Sequence, residues 1–269
     1  MIKHISKTMR AAMLCVGLFM SVSLAHAADV LSSPDGHLKV TVGVKGGKPF
    51  YMIARDGKPI VNRSFLGFTL NDGAFDNGFK VIGKSRDTKN ETWTQPWGED
   101  RAVNCHYNEL KLHLQQSDKR QRQLNIVFRA FNDGIGFRYE FPKQKNLGEF
   151  RIMDEMTQIA MPTDAQAWTE PTNGTTYYEA LWTKDLLSKK DTVSTPITIE
   201  VNDSLYMALH EANLTDYASI NYTPRQLPGA AVTLVAALTP WQNGVKVYAK
   251  TPFVSPWRTI LITKRPGDL

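Results

Sequence analysis

The chain has 269 residues, 42% of them apolar and 22% charged, with 32 basic against 26 acidic side chains for a net charge of +6. The length allows one large domain or two small ones with a sizeable core. The mild basic excess is spread along the chain, which argues against nucleic-acid binding, where a concentrated patch is the rule.

Lys3, Lys7 and Arg10 open the chain, Ala11 to Leu24 form an apolar run, and Ala25-His26-Ala27 ends it. This is the three-part pattern of a secretory signal peptide, residues 1–27. The run is short for a span, which needs about 20 residues, so no membrane span is expected. Cys15 lacks the small residues that precede a lipid-attached cysteine. The expected product is an exported domain over residues 28–269, whose charge falls from +6 to +3 on loss of the three basic residues. Of the two cysteines only Cys105 remains, so no internal disulfide can form.

Beyond the signal, the dominant period is two. Leu38, Val40, Val42 and Val44 alternate with mostly polar residues, as do Leu110, Leu112, Leu114 and later Leu205, Met207, Leu209. Such alternation predicts half-buried strands. Turn signals punctuate them at Pro34-Asp35-Gly36, Gly46-Gly47, Asp56-Gly57, Asn71-Asp72-Gly73 and Asn243-Gly244. A hairpin is expected where Leu124 to Ala130 runs into Asn132-Asp133-Gly134 and Ile135 to Phe141 runs out, with Asp-Gly supplying positive φ. Helical turns are expected only at Asp164–Trp168 and Tyr178–Lys190. The fold class is therefore all-β, a large sandwich or barrel in one domain.

Catalytic signatures are absent: there is no G-x-S-x-G, P-loop, H-E-x-x-H or G-x-G-x-x-G pattern. Cys105 and His106 are neighbours on one strand and point to opposite faces, so they do not form a nucleophile–base pair. Six tryptophans, Trp93, Trp97, Trp168, Trp182, Trp241 and Trp257, suggest carbohydrate contact. For any one of them, core or interface packing is the default expectation. Glu99, Glu170 and Glu179 lie close to aromatic residues in segments suited to Ca²⁺ ligation or acid–base work, although a solvated glutamate is the ordinary case.

Five strings in order resemble the N-terminal domain of glycoside hydrolase family 97, a family of exported α-glucosidases and α-galactosidases. They are Leu31-Ser32-Ser33-Pro34-Asp35-Gly36, Trp97-Gly98-Glu99 with Asn104 and His106-Tyr107-Asn108-Glu109-Leu110, Phe131 to Tyr139, Leu209-His210-Glu211-Ala212, and Ser255-Pro256-Trp257-Arg258-Thr259-Ile260. The resemblance implies an antiparallel β-super-sandwich similar to the galactose mutarotase fold. It also implies a following (β/α)₈ barrel that carries the catalytic carboxylates, whose separation sets inversion or retention. No catalytic residue is expected in this chain, which reads as a fragment lacking the barrel. Family resemblance further implies a bacterial periplasmic location and a calcium ion in the complete enzyme, to which Glu179 is the best match for the one ligand lent by this domain, with Glu170 as competitor. One glutamate cannot satisfy a cation that takes roughly 6 to 8 oxygens. Trp97, Glu99, His106, Glu109, His210, Glu211, Trp257 and Arg258 are the expected substrate-side or interface residues, with Trp257 and Arg258 paired at the barrel. The expected partners are an oligosaccharide or α-glycoside and the barrel itself. A stand-alone carbohydrate-binding module and an adhesion sandwich without sugar function are the alternatives.

Overall fold

The computed structural model describes residues 28–172 and 179–269. The expected signal peptide, residues 1–27, lies outside them, as do residues 173–178, the last of which opens one of the expected helical regions. Every described strand pairing is antiparallel, and the helical elements among the described residues are two single 3₁₀ turns, Leu187–Lys189 and Pro266–Asp268.

An eight-stranded sheet runs, in spatial order, Asp29–Ser32, Leu38–Lys45, Lys48–Arg55, Lys58–Phe65, Gln158–Met161, Val232–Leu238, Ile220–Arg225 and Val193–Ser194. The larger sheet runs Thr183–Leu186, Gln166–Thr169, Ile197–Asn202, Leu205–Ala212, Trp257–Thr263, Gly134–Phe141, Gln123–Phe131, Ala102–Gln116 and Phe79–Thr94, with the short Phe253–Val254 strand also pairing Gly134–Phe141. A four-stranded sheet of Val247–Lys250, Glu149–Glu155, Phe68–Leu70 and Gly73–Phe75 closes one end.

The period-two residues of the sequence meet in one core between these sheets. Leu38, Val40 and Val42 are sealed on one side, and Leu110, Leu112, Leu114, Ile126, Phe128, Phe137 and Tyr139 on the other. Tyr51 bridges the layers, its ring 5.9 Å from Phe128 and 5.1 Å from Phe137, while its hydroxyl donates to the Gln158 carbonyl. A buried phenol needs such a partner.

The turns follow their chemistry with one exception. Gly46-Gly47 and Asp56-Gly57 all adopt positive φ and join paired strands, as a tight two-residue hairpin requires. The Asn132-Asp133 turn instead closes with no positive φ, and Gly134 is already a strand residue paired with Phe131 and Leu261. Glycine is needed there for space, since a Cβ would sit 2.6 Å from the Ile260 carbonyl oxygen. Asn132 is held from outside by the Asp35 amide, which donates to its side-chain oxygen.

Of the two expected helical regions, Asp164–Trp168 forms no helical turn, and Tyr178–Lys190 holds one 3₁₀ turn over its described residues. Gln166–Thr169 is a strand with Ala167 and Thr169 buried, and Thr183–Leu186 pairs with it before the single turn at Leu187–Lys189. Asp164 does not start a helix; its carboxylate accepts the Ser188 amide and hydroxyl and ties that turn down. Short polar segments gain more by completing a sheet edge than by forming an isolated turn of helix.

Candidate functional site: an aromatic and charged sheet face with a projecting ribbon

The outer face of the larger sheet is built by register. Glu109 faces Arg129, Arg129 faces Gly136, Gly136 faces Thr259 and Thr259 faces His210, so these residues form one row across five strands. Trp257 lies over the bare Gly136 backbone, where a Cβ would meet its ring at 3.4 Å. The guanidinium groups of Arg129 and Arg138 stand 4.5 and 4.6 Å from the Trp257 ring, and Arg129 is also 4.4 Å from that of Tyr107. Carboxylates hold both arginines in place: Glu109 accepts from Arg129 at 2.8 Å, and Glu140 accepts from Arg138 at 2.7 Å and pairs with Lys111 at 2.9 Å. Burial alone would raise the Glu140 carboxyl, but the bonds and charges of Lys111 and Arg138 outweigh it and hold it below the usual value. Arginine stacks on aromatic faces while it pairs, which makes this surface rigid as well as amphipathic.

Beyond Glu109 the two longest strands leave the sheet. Their register continues from Asp87 opposite Glu109 to Thr94 opposite Ala102, whereas the inner neighbour Gln123–Phe131 pairs only from Asn108 onward. The outer part is thus a two-stranded ribbon, with Trp93 half-exposed, Trp97 85% exposed and Glu99 exposed near its tip. Such a ribbon is marginal by itself in water. His106 lies on it opposite Asn90, and the buried Tyr107 follows.

Trp257 and Arg258, expected as a pair, part company. Arg258 is 1% exposed and lies between the sheets. It makes a two-pronged bond to Glu155, Nε to Oε1 at 3.0 Å and Nη2 to Oε2 at 2.6 Å, and a third bond from Nη1 to Glu211 at 2.7 Å. Thr157 and Tyr217 hydroxyls donate to Glu155, and the Ile220 amide donates to Glu211. Burial pushes the Glu155 carboxyl up, yet Arg258 and these hydrogen bonds bring it below its ordinary value. Burial dominates at Glu211, which ends above its ordinary value despite Arg258. Both residues are therefore internal fasteners with no access to a ligand.

Glu179 is exposed. Its competitor Glu170 is buried, and its carboxylate accepts the Ala180 amide at 2.9 Å, so it anchors the segment that carries Glu179. Among the described residues no three His, Cys, Asp or Glu side chains gather to hold a metal. Cys105 is a free thiol, raised first by burial and then by Glu91. No helix among the described residues is long and apolar enough to cross a membrane.

Four of the six tryptophans are substantially exposed, Trp93, Trp97, Trp182 and Trp241, so of the expected core or interface packing these four do not take the core. Sequence patterning also missed Glu155, Arg129 and Arg138. The one available signal for Glu155 is a charged residue closing a strand whose Phe150 and Ile152 are core residues.

The glycosyl-hydrolase 97 N-terminal family profile matches residues 31–269. The chain belongs to glycoside hydrolase family 97, as an N-terminal domain. A family 97 enzyme of Pseudoalteromonas sp. strain K8, solved with acarbose, superposes with a TM-score of 0.83 at 34% identity, covering 88% of this chain and 36% of that one. A retaining α-galactosidase of Bacteroides thetaiotaomicron is 25% identical over 98% of this chain and 42% of its own length. A family 36 α-galactosidase of Geobacillus stearothermophilus, solved with stachyose, shares the fold at a TM-score of 0.55 and 8% identity, over 88% of this chain and 41% of that one. The family 97 domain described here thus spans well under half the length of each of these relatives.

Proposed function

We propose that this domain is the support half of an exported, periplasmic bacterial glycoside hydrolase acting on α-galactosides or α-glucosides, inactive until a (β/α)₈ catalytic half packs on its larger sheet. The observation that carries the reading is the outer face centred on Trp257. Rigid aromatic and arginine side chains form an amphipathic surface there, beside a ribbon that has no second neighbour to steady it. Exposed aromatic residues next to unpaired structure are the mark of an absent partner. The family membership and the share of each relative's length support the same reading.

In this reading Trp97, Glu99 and His106 on the ribbon, with Glu109, Trp257 and His210 on the face, meet the catalytic half or the substrate loops it brings. Glu179, on a segment braced by Glu170, is this domain's contribution to a Ca²⁺ completed by oxygens of the other half. The chemistry belongs to that half, and this domain positions it and excludes water from the seam.

The test begins with the gene beyond the Leu269 codon, which is expected to encode alternating strands and helices in frame. The complete product is expected to hydrolyse p-nitrophenyl α-galactoside or α-glucoside, and the chain alone to hydrolyse neither. A stop codon with no barrel nearby, or turnover by this chain alone, overturns the proposal. Trp97→Ala is expected to weaken association of the two halves while leaving the melting temperature of this domain unchanged.

A further inference from the structure

Away from the outer face, the edge of the four-stranded sheet carries a second aromatic feature that the hydrolase reading does not use. Trp241, 63% exposed, and Tyr248, 51% exposed, line the same cleft of about 700 Å³ together with Asp216, Tyr217, Lys246 and Phe253. The same two rings line an adjoining depression of about 620 Å³ with Gln242 and Asn243, so the pair stands between two open spaces.

The arrangement is built. Trp241 heads a tight loop in which its amide donates to the Val245 carbonyl and its own carbonyl accepts from Gly244, whose φ of 81° suits only glycine there. Asn243 donates from Nδ2 to the Tyr248 hydroxyl at 2.6 Å, and the Arg151 guanidinium lies 5.6 Å from the Tyr248 ring. The Trp241 backbone and the Tyr248 side chain are thus fixed while both rings remain open to solvent, although a sizeable core lies a few residues away at Val245 and Val247. Large aromatic groups held in water by specific bonds mark a recognition surface better than a packing accident.

We infer that the Trp241–Tyr248 cleft is a non-catalytic binding site for a neutral oligosaccharide of pyranose units. The flat C–H face of a pyranose stacks on an indole or phenol ring, and its hydroxyls seek mixed donors and acceptors at the ring edge. The cleft and its adjoining depression offer both: two rings, the amide of Asn243, and charged groups that balance, since Asp216 offsets Lys246 and the third lining charge, Lys250, is paired with Glu149 at 3.4 Å. Trp241, in a loop, and Tyr248, on the four-stranded sheet, belong to none of the strands that build the Trp257 face or the ribbon. The choice of sugar as ligand rests on the hydrolase reading; a site here would tether the enzyme to its substrate.

Calorimetry of the chain with maltoheptaose and with raffinose tests the site. Saturable heat is expected with at least one of them, weakened roughly tenfold or more by Trp241→Ala, a loss of about 1.4 kcal/mol. Tyr248→Ala should weaken it similarly, and Leu214→Ala, which removes another exposed apolar side chain, should not. Unfolding curves of each variant confirm that the domain stays folded, and Trp241→Phe, which keeps a stacking ring, is expected to restore part of the affinity. No heat with either sugar at millimolar concentration overturns the inference, and so does binding lost through Trp97→Ala but kept in Trp241→Ala. Hydrolysis plays no part in this readout. Failure here leaves the hydrolase reading in place, and a gene without a barrel leaves the cleft in place.

Discussion

Trp257 and Arg258 are adjacent in the chain and leave the larger sheet on opposite faces. The indole lies outside over Gly136 between two guanidinium groups, and the Arg258 guanidinium lies inside against Glu155 and Glu211. One residue serves the surface, the other the core.

Removing one member of a buried ion cluster leaves the others charged and unpaired. Arg258→Met is therefore expected to cost about 3–5 kcal/mol, read from urea unfolding midpoints. The triple replacement of Arg258, Glu155 and Glu211 by apolar residues of similar volume should recover much of that loss. A single variant within about 0.5 kcal/mol of wild type, the usual range for a surface substitution, would show that the cluster is not a fastener.

The two glutamates of the cluster give stability opposite dependences on pH. Glu155 is held below the ordinary value of 4.5, so its contribution is complete above that pH and is lost as the pH falls through its folded value. Glu211 is held above 4.5, so its contribution is complete below that pH and is lost as the pH rises through its folded value. Thermal melting across the acid range is expected to show a flatter limb below pH 4.5 for Glu155→Gln. The limb just above it should be flatter for Glu211→Gln. Unaltered limbs would place the acid sensitivity elsewhere.

Gly134 faces backbone that cannot give way. A Cβ at this position would lie 2.6 Å from the Ile260 oxygen and 3.0 Å from the Leu261 Cα, so Gly134→Ala is expected to cost about 1–3 kcal/mol by overpacking. Gly136→Ala meets only the edge of Trp257 at 3.4 Å and should cost less. Chemical denaturation of the two variants side by side checks the order.

Calcium should distinguish the domain from the complete enzyme. With no cluster of three His, Cys, Asp or Glu side chains among the described residues, added Ca²⁺ or EGTA is expected to leave the melting temperature of this chain unchanged. In the complete enzyme, Glu179→Gln is expected to lower calcium affinity, measured by titrating activity against free Ca²⁺. A calcium-dependent rise in the melting temperature of the chain alone would locate a full site here.

Local alternation was enough to read an all-β fold, a sandwich or a barrel, and the family resemblance chose the sandwich. Residues such as Leu38, Val40 and Val42, or Ile126 and Phe128, repeat every second position because successive strand side chains point to opposite faces, and that rule acts within a few residues. The ordered strings at Trp97, Phe131 and Ser255 were likewise sufficient to suggest the family, which the match over residues 31–269 bears out. Alternation separates two faces without saying which one another sheet will cover. That choice rests on contacts made across the whole chain: Arg258 finds Glu155 at a separation of 103 residues, and Gln166–Thr169 becomes a strand because Ile197–Asn202 lies open beside it. The same holds for the tryptophans: composition left core or interface packing as the default, and it is the ribbon and the Trp241 loop that leave Trp93, Trp97 and Trp241 exposed. Period and turn chemistry are local energies, whereas burial is a property of the assembled layers.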